Sequence, residues 1–439
     1  MIIQHFANSF MKIEAGSCQI VCDPWVGTAQ HGSWHSFPFT SFDDAIETVN
    51  GCSLLYISHL HSDHLCEELL RQCNLSDLRI IIQKYSSPVL KRRLVALGAI
   101  EVIELEPWST LSMEHVSVAI VPQIETTSSN AEGSIAYELD SSLFIHDLVE
   151  DVVFFNKVDN PLSNESLIKV REFSIETFHR PPDVACFSIG AASEYPQCFP
   201  KLDRESERDR LIADSLAKFR QEFESLRPKI VFPAGGSYLL TGKRSQLNRY
   251  LATPNFDQIR KAIEDSPLDI SILHLAGGGK LQMDSAGPKF EVTPEIDISE
   301  SVIRELGNVE FEKIIGWENI SESILLGTLE RARSNYSTTL SRSDVFIDWT
   351  IEVVLSDADP VDDTGNIKLF ENSISLILHE SDSRNVLTLF LTKQSAYGAI
   401  KRKFSWNQIL SGSHAMMIRN PNVYDPDVLF SMNYFVDSE

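Results

Sequence analysis

Four residues able to bind metal fall within six positions of the segment YISHLHSDHL: His59, His61, Asp63 and His64. Imidazole and carboxylate are donors that transition-metal and zinc ions accept. Alternate residues of an extended segment project to one side, so His59 and His61 can share an ion. Asp63 and His64 follow on the next turn and can reach a second ion about 3.5–4 Å away, the spacing of two-metal sites. The plain alternative is a solvated polar turn. Four ligand-type side chains at HxHxDH spacing directly behind an apolar strand favour the metal pair.

These ligands need a scaffold that presents strand ends. The first half of the chain alternates β-rich runs with helical stretches: CQIVCDPW, CSLLYISH, LRIIIQK, VSVAIVP, GSIAYEL, SLFIHD and DVVFFNK are expected as strands. Several follow one another with no helix between them. That favours two mixed sheets packed face to face with helices outside, a four-layer αββα sandwich, over a doubly wound parallel sheet. LIADSLAKFRQEFESL has helical spacing, Pro228 stops it, and the strand KIVFP leads into the turn Ala234-Gly235-Gly236. Periodicity fades near 285–295. The expected division is therefore a catalytic domain over 1–290 and a smaller α+β domain over 291–439. The latter should hold a helix through ESILLGTLERARS, strands in VFIDWTIEVVL, ISLILHES and VLTLFLT, and a helix through AIKRKFSWNQIL.

Composition narrows the partners. The 439 residues carry 62 acidic and 38 basic side chains, a net charge of −24, which repels nucleic acid and anionic lipid. No apolar run approaches the roughly 18 residues that cross a bilayer. A small-molecule substrate is expected, with no nucleic acid and no membrane. Seven cysteines without CxxC spacing, behind a start lacking a basic and apolar leader, predict a reduced cytoplasmic setting. A homodimer is compatible with the sequence but not specified by it. No GxSxG or Cys/His motif supports nucleophilic catalysis, and AGGGK at 276–280 is too short for a phosphate loop.

HxHxDH behind a strand resembles the metallo-β-lactamase superfamily, which implies a metallo-β-lactamase sandwich and a dinuclear metal centre. The resemblance assigns His59, His61, Asp63 and His64 as ligands and makes Asp159, after VVFFNKVDN, the bridging carboxylate. Where the hydrolases of the superfamily have a histidine after the strand VSVAIVP, this chain offers Glu125, with Glu132 as the other choice for the same role. After KIVFP the expected last histidine is missing, and His274 is more simply a core histidine. CDPWVGTAQHGSW resembles the segment ending a strand in the open-pocket branch and brings Asp23, Trp25 and Trp34 to the metal side, with packing an equal alternative for the tryptophans. His5, His31 and His35 neighbour that segment. Tyr195, Tyr238, Lys243 and Arg244 lie in segments that return to the same side. Trp25, Trp34, His35, Tyr195 and Tyr238 are the candidate substrate contacts.

PDVACFSIGAASEYP, FPAGG and RNPNVYDPDVLFSMNYF look like the body of CMP-N-acetylneuraminate hydroxylase, while no paired CxH and CxxH ligands of a Rieske cluster precede Asp23. The C-terminal unit resembles sterol-carrier-like modules. Dinuclear iron oxygenases of the superfamily also combine HxHxDH with a glutamate. A site poorer in imidazole and richer in carboxylate favours iron, with zinc or manganese as alternatives. The resemblance thus implies two iron ions, O₂ as co-substrate, an external electron donor or reductase, and hydroxylation or N-oxygenation of a small polar metabolite such as a sugar nucleotide or amino acid derivative. The alternative is a zinc- or manganese-dependent hydrolase of a phosphoester, lactone or amide.

Overall fold

A computed structural model describes residues 1–125, 139–190, 192–264, 266–296, 298–311 and 313–437. Two large mixed sheets dominate it. The eight-stranded sheet runs Gly287–Glu291, Gly279–Asp284, Ile2–Ala7, Phe10–Ala15, Cys18–Cys22, Leu54–Tyr56, Arg79–Gln83, Glu101–Leu105 in spatial order. The seven-stranded sheet runs Ser271–Ile272, Ile230–Pro233, Val184–Phe187, Val152–Asn156, Ser141–Asp147, Val116–Pro122, Thr110–Met113. Each sheet is antiparallel along the chain's hairpins and parallel where helices intervene.

Hydrophobic alternation explains the layering. Ile13, Ile20, Leu54, Tyr56 and Ile81 of the first sheet meet Val118, Ile120, Ile145, Phe154 and Phe232 of the second in a buried middle layer. The other face of the second sheet, including Val121, Phe144 and Phe155, packs against Leu167, Phe219 and Phe223 on helices Asn164–Phe178 and Arg204–Leu226. The outer face of the first sheet, with Val21, Leu55 and Ile80, is covered by Val49, Leu69 and Leu94 on helices of its own. Strands covered on both faces do not need to alternate apolar with polar, which is why residues 118–121 and 152–155 are continuous apolar runs. This is the four-layer αββα sandwich expected from the sequence. Of the expected strands, GSIAYEL lies outside the described residues except for Leu139.

Among the described residues, the chain beyond Glu291 joins neither large sheet. It forms a four-stranded sheet, Ile374–His379, Thr350–Ser356, Val386–Thr392 and Met416–Asn420, with helix Glu322–Leu340 against it. One expectation fails here. AIKRKFSWNQIL does not make one helix: Lys393–Ile400 ends before Arg402, which takes φ of 54°, and Trp406–Ser411 starts anew. Ser405 and Gln408 form a reciprocal capping box, so the serine initiates a helix instead of continuing one.

The C-terminal segment is fastened to the sandwich by buried polar contacts. Arg244 donates from Nε to Ser413 O and from Nη2 to His414 O, and pairs with Asp359 at 2.7 Å. It is buried, and its guanidinium is taken up by these contacts. His414 Nε2 lies 2.8 Å from Gln30 O and donates to it, and burial pushes the imidazole down to about 3. An unfolded chain protonates this histidine near 6.5, whereas the folded chain keeps it neutral. Its effect is absent above pH 6.5, and stability falls as pH drops through the window between 6.5 and 3. From pH 6.5 to 5 the loss is about 2 kcal/mol for this histidine. Urea unfolding of metal-free protein at pH 7.5 and 5 should show it, with a shallower acid loss in His414→Gln; equal losses in both would refute the assignment.

Candidate metal centre

The sheets converge on one edge. Leu54–Tyr56 is a central parallel strand whose carboxyl end carries residues 57–66, so all of HxHxDH emerges there. Ser141–Asp147 and Val152–Asn156 are antiparallel, with Leu143 opposite Asn156. The start of the first and the end of the second therefore meet at the same edge, bringing Asp140 and Asp159 together around the histidines. Gly235, at φ of 99°, closes the approach: a β-carbon there would sit 2.8 Å from Ser188 Cβ and 3.0 Å from Asp159 Oδ1. The turn after KIVFP thus supplies room for a carboxylate where a histidine was sought.

Two groups of donors share His59. His59 Nε2 lies 2.9 Å from His61 Nδ1 and 3.2 Å from Asp140 Oδ1. His64 Nε2 lies 3.1 Å from Asp159 Oδ2 and 3.4 Å from Asp63 Oδ2. His59, His61 and Asp140 form one set of mutually close ligand atoms, and His59, His64 and Asp159 form the other. The sequence-derived residues His59, His61, Asp63, His64 and Asp159 come together, and Asp140 joins them.

Glu125 does not. Its Oε1 accepts from Ser163 N at 3.0 Å and Ser166 Oγ at 2.6 Å, at the N-terminus of helix Asn164–Phe178. Those donors hold its carboxyl below the usual range against a burial that would raise it. Oε1 is thus engaged beside Ser163, the N-cap of that helix, while Oε2 is buried without a hydrogen-bond partner; Glu125 belongs to neither group of mutually close ligand atoms. Glu132 lies outside the described residues.

The donors fit cations. Burial, then the neighbouring His64 and His61, push His59 well below its usual value, which keeps the ring neutral. Ser58 Oγ, which donates to Asp23, lies 2.9 Å from His59 Nδ1 and accepts its proton, leaving the lone pair on Nε2. Asp140 Oδ1 is buried and receives no hydrogen bond, while burial and Asp159 push that carboxyl up to about 7. Burial opposes a charged His64, yet Asp63 and Asp159 hold it well above its usual value. A buried cluster of unsatisfied carboxylate oxygen and imidazole lone pairs is stabilised by a positive ion.

Supporting residues set the tautomers. Asp23, fully buried and at φ of 41°, accepts from Ser58 N at 2.8 Å and Ser58 Oγ at 2.7 Å, and lies 3.1 Å from His64 Nδ1. A proton on that Nδ1 directs Nε2 toward Asp159 and Asp63. Asn407, from helix Trp406–Ser411, places its side-chain amide 3.2 Å from His61 Nε2 and holds the ring with Nδ1 facing the cluster; ligation through Nδ1 requires Nε2–H to donate to the amide oxygen. Ser58, Asp140 and Asn407 carry no motif that marks them. The only sequence signal for Asp140 is its place directly before a strand that returns to the HxHxDH edge.

The aromatic candidates separate. Trp25, Trp34 and Tyr238 are buried in the core, with Trp34 stacked on Tyr238 at 3.9 Å, because strands Trp34–Ser36 and Tyr238–Leu240 pair directly. They pack rather than line the opening, as large rings with much apolar area do. His35 holds Ser36 O through Nδ1 and sits edge-on to Phe39, and buried His5 holds Asn8 O. Lys243 is exposed. Tyr195 alone of the five lines a cavity of about 790 Å³ that also includes His61 and Asp140. A second cavity, about 960 Å³, reaches His61 past His31 and Trp406. Both are walled partly by the C-terminal segment.

No known family model matches the sequence. A 160-residue stretch is 33% identical to a Mycolicibacterium smegmatis protein provisionally named Rieske 2Fe-2S iron-sulfur protein, covering 36% of this chain and 29% of that one. The cytidine monophosphate-N-acetylneuraminic acid hydroxylase of Danio rerio is 25% identical over 250 residues, 54% of this chain and 38% of the relative. The matches therefore span well under half the length of these relatives. Among solved structures, the isothiocyanate hydrolase from Delia radicum gut bacteria aligns with a TM-score of 0.44 and 12% identity, over 64% of this chain and 99% of that one. The sequence likeness to the hydroxylases is the one its motifs suggested. No helix among the described residues is long and apolar enough to cross a membrane.

Proposed function

We propose that this chain is a non-haem diiron oxygenase that hydroxylates or N-oxygenates a small polar metabolite. The observation that supports it is the donor set: three imidazoles with three carboxylates, Asp63, Asp140 and Asp159, at one buried edge. Oxygen-rich ligation suits iron better than the imidazole-rich sites that select zinc. Likeness to the named hydroxylases points the same way. Two iron ions held there would supply O₂ activation, with electrons from an external donor or reductase.

The chain's own residues do the rest. Asp23 and Ser58 fix the His64 ring, Asn407 fixes His61, and the burial of His59 and His64 keeps bulk water from competing for the donor atoms. His61 is held by Asn407, 346 positions downstream, a side chain of the C-terminal unit, which we assign as a second domain over 291–439. All seven cysteines are free, which supports a reducing, cytoplasmic location.

Metal analysis of protein purified without added metal, with Mössbauer spectra before and after O₂, tests this reading. About two irons per chain with an O₂-dependent spectral change is the expected result. Two zinc or manganese ions, inert to O₂, with turnover of esters or lactones, would replace it with the hydrolase.

A further inference from the structure

The cavity that includes His61 and Asp140 has an opposite wall the metal centre does not use. Arg419, at the end of strand Met416–Asn420, lines it. Its guanidinium lies 5.4 Å from the Tyr195 ring centroid and 5.0 Å from that of Phe199. Nη2 donates to Asn422 Oδ1 at 2.9 Å, Asn422 Nδ2 donates to Tyr195 OH at 2.9 Å, and that hydroxyl donates to Glu207 Oε2 at 2.7 Å. Arg210 pins Glu207 in turn at 2.9 Å. This chain of contacts runs from the C-terminal segment to helix Arg204–Leu226 and fixes the guanidinium before any ligand arrives, which lowers the entropic cost of binding.

Charge is the unexplained part. The chain has 62 acidic residues against 38 basic ones, yet Arg419 forms no ion pair with any described residue, and its Nη1 has no hydrogen-bond partner among them. Glu194 lines the same cavity beyond ion-pairing distance and acts on the guanidinium only at that longer range, and Arg419 Nε is buried with no hydrogen-bond partner. Leu211, Leu410, Leu429 and Phe430 supply an apolar surface beside it. Apolar walls with a few placed polar groups are the makeup of small-molecule sites.

We propose that this cavity binds an organic anion with an apolar portion: Arg419 anchors its carboxylate or phosphate, and the rest of the molecule lies along the apolar wall toward His61 and Asp140. The inference names a substrate class for the proposed oxygenase and rests on that reading for its role, though not for binding itself. Planar, charge-assisted contacts to carboxylate or phosphate are what a guanidinium provides and a neutral polar group does not.

Calorimetric titration of the full, metal-loaded chain with phenylacetate, phenyl phosphate and neutral phenylacetamide tests it, repeated after chelation of the metal. One or both anions should bind in both states and the amide should not; preference between the anions tells an organic acid from a phosphoester. Arg419→Gln, which can still bond Asn422, should weaken the anion roughly tenfold to a hundredfold at unchanged metal content, with Arg419→Lys in between. Equal binding of the amide, no change in Arg419→Gln, or anion binding that disappears with the metal would overturn the site. If Arg419→Gln does not fold, Leu211→Trp, which narrows the cavity, should weaken the anion, and undiminished binding there counts against it. Anion selectivity in a protein holding only O₂-inert zinc would remove the oxygenase and leave this site standing; two reactive irons without anion selectivity would do the reverse.

Discussion

Asp140→Ala is expected to lose at least one of the two metal ions, whereas Glu125→Ala keeps both. Asp140 Oδ1 sits 3.2 Å from His59 Nε2 with no hydrogen bond to satisfy it. Its removal takes a direct ligand, a larger loss than the about 10–100-fold in affinity that follows when a group merely supporting a ligand is lost. Glu125 instead accepts from Ser163 N and Ser166 Oγ, so its alanine variant should lose about 1 kcal/mol of stability with those hydrogen bonds and nothing in metal. Metal content by mass spectrometry, alongside denaturant melts, separates the two. Full occupancy in Asp140→Ala with depletion in Glu125→Ala would falsify the assignment.

Lys157→Met should destabilise the fold by about 3–5 kcal/mol, while Lys157→Met with Glu222→Leu recovers most of that loss. Lys157 Nζ lies 3.3 Å from Glu222 Oε1, and both side chains are all but inaccessible to solvent, at 1% and 2% exposed. The lysine stands just past strand Val152–Asn156 and the glutamate on helix Arg204–Leu226. Removing the cation alone leaves a desolvated carboxylate whose other neighbour, Lys218, is 3.8 Å away and mostly exposed. Removing both charges leaves an apolar contact in a layer already built of Phe219 and Phe223. Chevron or equilibrium urea data decide it. A single-variant loss below about 1 kcal/mol would mean that water reaches the pair.

The oxygenase reading depends on three carboxylates meeting three imidazoles, and the two cavities show how it is served. His61 is exposed to both, and the C-terminal segment walls both. Arg244, His414 and Asn407 tie that segment to the sandwich near the metal edge. The placement of His61 therefore depends on a residue more than 300 positions downstream of HxHxDH.

The sequence by itself determined whatever depends on local order. HxHxDH behind an apolar strand located four of the residues that meet at the candidate metal centre, because neighbours on one extended segment and turn stay neighbours in any fold. Apolar runs without alternation, such as residues 118–121, marked strands buried on both faces, since neither face needs a polar residue for solvent. Asp159 followed from its place at a strand end. Asp140 against Glu125 could not be decided that way: both are acids close to the ends of strands Val116–Pro122 and Ser141–Asp147, and only the antiparallel register with Val152–Asn156 directs one into the cluster while the other meets a helix N-terminus. The same holds for Trp25, Trp34 and Tyr238, whose rings could line a pocket or fill a core until strand pairing buried them. Asn407 and Arg419 were beyond local reading altogether, because their roles arise from one packed interface between segments far apart in the chain, and no short-range pattern encodes which surfaces will meet.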